Sequence, residues 1–125
     1  LQRISKRIKK RNQLARYYQK FFKNSIKFNL LKSSNQFYCN HYKQIFISNY
    51  KRAEIRKYLN KFNIPLTGGV YNTPIHKQPI YKKELSKFKL PNTNFFCDHH
   101  FCPPCYPEMT IKDVKRICEL LDNFN

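Results

Sequence analysis

Gly68-Gly69-Val70-Tyr71-Asn72-Thr73-Pro74-Ile75-His76-Lys77-Gln78-Pro79-Ile80-Tyr81 holds both glycines of the 125-residue chain and sets one histidine between two prolines. Paired glycines supply backbone angles that a side chain forbids, and each proline fixes its own φ and restricts the residue before it. Gly68, Gly69, Pro74 and Pro79 therefore predict an ordered, irregular loop. A lone histidine is usually structural. On a loop stiffened in this way, with Tyr71 and Tyr81 flanking it, His76 is better placed than most for a ligand contact. Imidazole and phenol groups can donate hydrogen bonds while their rings pack on apolar edges.

The chain on either side is patterned to carry this loop. Upstream, Ile64-Pro65-Leu66-Thr67 is a short extended piece, and Asn49–Phe62 is a helix with Ile55, Tyr58, Leu59 and Phe62 at helical spacing. Asn49 is its expected N-cap, and Asn63 can take the left-handed angle that closes it. Before that helix, Phe37–Ile47 is rich in β-formers, with Tyr42–Ile47 the portion expected to pair. From Leu1, the residues Leu1, Ile4, Ile8, Ala15, Tyr18 and Phe22 recur at three and four, so one long amphipathic helix is expected over 1–24. Its outer face carries Lys6, Arg7, Lys9, Lys10 and Arg16, a basic run more readily explained as a solvated face than as a phosphate track.

Downstream, Tyr81–Leu85 is at most one turn of helix, and Ser86–Asn92 links it to a short helix opened by Thr93 and running from Asn94 to His100. Pro103-Pro104 then enforce extended backbone. The last element has a clear start, with Thr110 as N-cap, Asp113 three residues later, and Ile111, Val114, Ile117, Cys118, Leu121 and Phe124 on one face. Strand, helix and strand in this order predict an α/β (α+β) domain over 37–125, entered through the long helix at 1–24.

Three segments carry a resemblance: Lys10-Arg11-Asn12-Gln13-Leu14-Ala15-Arg16-Tyr17-Tyr18, the Gly69–Tyr81 run, and His100-Phe101-Cys102-Pro103-Pro104-Cys105-Tyr106-Pro107-Glu108-Met109-Thr110. In this order they resemble the end of the DegT/DnrJ/StrS sugar aminotransferases, over nearly all of this chain. The resemblance implies the C-terminal small domain of a fold-type I pyridoxal-phosphate enzyme, reached by a long helix from a cofactor domain and built on a small, mostly antiparallel sheet with helices on one face. It implies a homodimer that moves an amino group from a donor such as glutamate to a nucleotide-linked keto sugar, on the way to surface polysaccharide or glycan precursors. It places His76 on the substrate side of the cleft, where Tyr71 and Tyr81 are its expected companions toward sugar hydroxyls or a diphosphate and Lys77 is a charge partner for phosphate. It also matches His41-Tyr42 to a polar-aromatic pair opening a strand. For His41 alone, a structural role at a strand end outweighs a functional one. The Schiff-base lysine and most groups that hold pyridoxal phosphate belong to the larger N-terminal domain of such enzymes. None of their motifs is present here, so this chain alone is expected to be inactive. Asn72-Thr73 departs from the family at that point of the loop, which leaves the sugar open.

Composition bounds the alternatives. The length suits one domain, and a chain that starts at Leu1, already on a helical stripe, is expected to be part of a longer protein. The net charge of +18 would by itself favour a nucleic-acid partner. Abundant Lys, Asn, Ile, Tyr and Phe beside scarce Ala and Gly are what an AT-rich genome gives, so nucleic acid is not the expected partner. No apolar stretch approaches the roughly 20 residues that span a bilayer, and five cysteines without an apolar leader predict free thiols in the cytoplasm. The strongest alternative is a small basic RNA-binding or ribosome-associated protein with a zinc held by Cys97, Cys102 and Cys105. Against a zinc site stand the two prolines inside Cys102-Pro103-Pro104-Cys105 and the tight spacing of Cys39 and His41 as a second arm. Against a redox pair stands the lack of a helix starting at these cysteines. No metal is therefore expected.

Overall fold

The computed structural model describes residues 2–31, 44–66, 71–85 and 87–125. The elements are α1 (Gln2–Phe21), β1 (Phe28–Leu30), β2 (Phe46–Ser48), α2 (Arg52–Asn60), a 3-10 turn (Ile75–Lys77), α3 (Lys82–Leu85), α4 (Pro91–His99), β3 (His100–Phe101) and α5 (Ile111–Asp122). The three strands form one antiparallel sheet in the order β1-β2-β3, with Phe46 opposite Leu30 on one side and Phe101 on the other.

Strands this short offer few ladder bonds, so the sheet depends on what its faces bury. Side chains alternate across a strand, which puts Phe28, Leu30, Phe46, Ser48 and Phe101 on one face and Asn29, Ile47 and His100 on the other. The first face meets Leu14 and Tyr18 of α1 with Phe22 just after it, Ile55 and Leu59 of α2, and Val114, Ile117, Cys118 and Leu121 of α5 in a single core. Three helices thus cover this face, while on the other the ring of His100 stacks on Phe96 of α4. Aromatic rings dominate the centre: Phe46 lies edge-on to Phe22 at 5.3 Å and stacks with Phe101 at 5.4 Å. Tyr18 is sealed among them, its hydroxyl donating to Pro104 O at 2.9 Å, and burial drives its phenol pKa upward.

Local chemistry explains where most elements begin and end. Asn63 has φ 58, and the Asn63 and Ile64 amides donate to Asn60 O and Leu59 O at 3.1 Å, closing α2 through the left-handed residue that the sequence predicts. The start of α2 differs: Lys51, not Asn49, is the N-cap, because Glu54 reaches back to accept from its amide at 2.8 Å. Helix α4 begins at Pro91, earlier than Thr93 and Asn94, since proline is preorganised for a first helical position. The middle strand is Phe46–Ser48 rather than Tyr42–Ile47; residues 37–43 lie outside the described residues, His41 and Tyr42 among them. In α1 the stripe is buried only from Leu14 onward. Ile4 is 54% exposed because the first turns extend past the core.

The ends of α5 are both tied. Lys27 Nζ donates to Asp122 O at 2.8 Å, Phe124 O at 2.9 Å and Asn125 Oδ1 at 3.2 Å, capturing carbonyls that the helix leaves unpaired. At the other end, Thr110 Oγ1 accepts from the Asp113 amide at 3.2 Å, and Asp113 Oδ2 accepts from the Thr110 amide at 2.7 Å. Thr110→Ala is expected to lower stability by about 1 kcal/mol, read by thermal unfolding. The Thr110 amide, then its hydroxyl, hold the Asp113 carboxyl below its ordinary value of 3.8. A lowered folded pKa makes this contribution complete above the unfolded value and loses it as pH falls through the folded one. Wild type and Asp113→Asn are therefore expected to differ in Tm at about pH 6 and to converge below about pH 3. A gap that stays constant with pH would contradict the cap.

Candidate functional site

The loop after residue 70 is a chain of tight turns. Pro74 precedes the 3-10 turn, in which Lys77 N donates to Pro74 O at 2.9 Å and Gln78 N to Ile75 O at 3.1 Å. The Tyr81 amide then donates to Gln78 O at 3.0 Å, and Tyr81 O caps α3 by accepting from Leu85 N at 2.9 Å. Pro74 and Pro79 flank this path, and Gly68 and Gly69 lie outside the described residues.

These turns send neighbouring side chains to different sides. His76 points inward and is only 6% exposed, while Lys77 is exposed. Both line an open cleft of about 630 Å³, with Lys82, Phe88, Lys89, Leu90, Pro91 and Asn94 completing its wall. His76 Nδ1 and Asn94 Oδ1 are buried and have no hydrogen-bond partner among the described residues. A buried polar atom without a partner carries a penalty of about 1–3 kcal/mol, so each is a group on the cleft wall that a ligand can satisfy. Three lysines and no carboxylate line the cleft, which makes it cationic. Its ligand chemistry is a polar, hydroxyl-bearing group attached to an anion.

The structure separates the other two expected residues from this pair. Tyr71 is 63% exposed and lines a shallower recess with Asn72, Thr73, Gln78, Pro79 and Ile80. Tyr81, 39% exposed, lines neither. In their place come Asn94 and the lysines at 82 and 89, which the sequence does not single out, because α3 and α4 bring them to His76 from later in the chain.

The cysteine segment serves the scaffold. Cys97, Cys102 and Cys105 are buried, and Cys105 Sγ approaches Arg11 O at 3.9 Å, fixing the extended prolines along α1. Burial raises the thiol pKa of Cys97 and Cys105, and pushes that of Cys118 up to about 12, the opposite of what a reactive thiol needs. Among the described residues no three His, Cys, Asp or Glu side chains gather as a metal site; Cys39 and His41 lie outside them. A recess of about 340 Å³ between Arg11, Pro104, Met109 and Arg116 is larger in apolar than in polar chemistry and holds no unpartnered buried polar atom. No described helix is long and apolar enough to cross a membrane.

Known proteins match this chain in both sequence and fold. Residues 1–122 match the model of the DegT/DnrJ/EryC1/StrS aminotransferase family. The chain is 24% identical over 136 residues to the UDP-4-amino-4,6-dideoxy-N-acetyl-beta-L-altrosamine transaminase of Campylobacter jejuni, covering 97% of this chain and 33% of that protein. The fold is similar to that of S. venezuelae DesV in complex with a ketimine intermediate, with a TM-score of 0.81 and 19% identity, over 92% of this chain and 31% of that one. It is also similar to a GDP-4-keto-6-deoxymannose-3-dehydratase with a trapped PLP-glutamate geminal diamine, with a TM-score of 0.76 and 14% identity, over 94% and 31%. The chain spans about a third of the length of each relative. A family model that runs from the first turn of α1 to the end of α5 takes in every core residue but Phe124 and the cleft with them: the chain belongs to the DegT/DnrJ/EryC1/StrS aminotransferase family.

Proposed function

We propose that this chain is the C-terminal small domain of a pyridoxal-phosphate-dependent aminotransferase that acts on nucleotide-linked keto sugars with glutamate as amino donor, as a cytoplasmic homodimer. The observation that carries the proposal is that one lysine-lined cleft is walled by both His76 and Asn94, whose Nδ1 and Oδ1 have no hydrogen-bond partner among the described residues. An imidazole nitrogen and an amide oxygen on one cleft wall suit sugar hydroxyls, which both donate and accept, and Lys77, Lys82 and Lys89 suit the diphosphate that links sugar to nucleoside. Tyr71 and Tyr81 would meet other parts of the same substrate from the neighbouring turns.

The cofactor does not fit the described residues of this chain. Pyridoxal phosphate needs a desolvated lysine amine and an acidic partner for its pyridine nitrogen. Among the described residues no lysine side chain is buried, and every carboxylate is exposed. The chemistry of amino transfer is thus assigned to a preceding cofactor domain, and the present residues bind and orient the sugar. The small basic RNA-binding reading gains nothing from the family match.

The test is turnover by the intact protein supplied with pyridoxal phosphate, glutamate and UDP- or dTDP-linked 4-keto-6-deoxy sugars. Formation of the amino sugar with one 2-oxoglutarate released per amine is expected. Loss of a hydroxyl without amine formation would assign dehydration instead, and inertness toward every nucleotide keto sugar would reject the proposal.

A further inference from the structure

His100 is fully buried on the sheet face opposite the aromatic core, and its ring makes polar contacts with three separate segments. Nδ1 lies 2.6 Å from Phe96 O on α4, and the ring stacks on Phe96 at 4.6 Å with 5° between the planes. A carbonyl only accepts, so Nδ1 carries the proton and Nε2 presents its lone pair. That lone pair faces two donors: the Tyr71 backbone N–H at 3.4 Å and Arg52 Nη1, also at 3.4 Å. Tyr71 heads the substrate loop, and its phenol is exposed in the recess beside the cleft. The neighbouring His99 ties α4 to β2 and not to the loop, with Nδ1 3.0 Å from Ser48 O and its ring stacked on Phe95. His100 links the sheet and α4 to the loop.

We propose that His100 is a positioning residue: its Nε2 anchors the Tyr71 backbone to β3 and α2 and thereby sets where the substrate loop stands over the cleft. The functional half of this proposal rests on the sugar-site reading given above. An imidazole suits the task because it is a rigid ring with a donor at one end and an acceptor at the other. It ties a helix carbonyl to a loop amide across one buried side chain, a link that an apolar residue of the same shape cannot make.

The two ring nitrogens can be removed separately. In His100→Asn the amide can still donate to Phe96 O but does not reach Tyr71. In His100→Gln the amide oxygen reaches the position of Nε2 and accepts from Tyr71, while the donation to Phe96 is lost. In the intact protein, His100→Asn is expected to raise hydrogen exchange at the Tyr71 amide by about tenfold, and KM for the nucleotide keto sugar by a similar factor. His100→Gln should restore both. The half-reaction with glutamate, which does not involve the sugar, should be unchanged in either variant. A role confined to packing would make the two variants alike, and that outcome overturns the proposal. So does an exchange rate at Tyr71 that neither variant changes. Altered exchange with an unaltered KM, in a protein whose KM responds to His76→Ala, overturns the positioning role and leaves the sugar cleft standing. A KM that responds to neither residue overturns the sugar reading and the functional role of the anchor with it. Should a variant fail to fold, the tautomer of His100 in the wild-type protein, read from the ring carbon and nitrogen shifts, decides the point: protonation at Nδ1 is expected, and a proton on Nε2 overturns the anchor.

Discussion

Replacing His76 with alanine in the intact protein is expected to lower kcat/KM for the nucleotide keto sugar by about a hundredfold, leaving the half-reaction with glutamate unchanged. The size follows from the cleft. His76 is 6% exposed, and among the described residues neither its Nδ1 nor the Oδ1 of Asn94, on the wall of the same cleft, has a hydrogen-bond partner. A site with buried polar groups discriminates strongly in favour of a ligand that satisfies them, since any other ligand leaves them unpaired. The identity of the nitrogen sharpens the expectation. An asparagine amide occupies about the position of Nδ1, so His76→Asn should retain activity to within about tenfold, whereas His76→Gln, whose amide extends to the position of Nε2, should resemble alanine. Lysine substitutions should act differently. Lys77→Ala, Lys82→Ala and Lys89→Ala remove exposed cations, and each should raise KM by a few-fold at low salt, with the effect fading as salt screens it. Unaltered kcat/KM in His76→Ala, with folding intact, would remove the imidazole from the substrate's path.

Elements fixed by adjacent residues were legible in the sequence, and those fixed by distant partners were not. The cap of α5 is written in Thr110 and Asp113, and the end of α2 in Asn63, because each depends on hydrogen bonds spanning only a few residues. Strand β1 has no such signature. Phe28–Leu30 is extended because it pairs with Ser48–Phe46 and because Phe28 fits against Phe22 and Phe101, contacts that only the assembled core supplies. The site divides along the same line. Gly68, Gly69, Pro74 and Pro79 mark the loop, and the lone histidine on it is the residue found buried in the cleft. Grouping Tyr71 and Tyr81 with it assumed that neighbours in sequence face one way. A 3-10 turn rotates the chain by a third of a circle per residue, so His76 and its neighbours diverge. Asn94 carries no local mark at all; it becomes notable only when α4 brings it to the cleft that His76 lines.

Phe46→Ala should be the most damaging single substitution in the scaffold, at about 3–5 kcal/mol. Phe46 is fully buried on the middle strand and lies opposite both Leu30 and Phe101. Its ring meets Tyr18 at 6.0 Å, Phe22 at 5.3 Å and Phe101 at 5.4 Å, so truncation opens a void that α1 and two strands line together. The neighbours are themselves large rings in fixed packing, and they cannot collapse into the space without separating from one another. Phe46→Leu should lose about half as much, and Ile26→Ala, at a side chain 93% exposed, less than about 0.5 kcal/mol. Thermal unfolding and native-state exchange of the β2 amides in the intact protein would measure the series. A loss under about 1 kcal/mol in Phe46→Ala would mean that the core repacks more freely than these contacts allow. Damage to the scaffold should also reach the loop. The ring of Phe101 holds one face of β3, and His100, the next residue back, holds Tyr71 from the other. When the pairing of β2 with β3 loosens, the imidazole loses its fixed position, so the Tyr71 amide should exchange faster in Phe46→Ala although the two residues belong to opposite faces of the sheet.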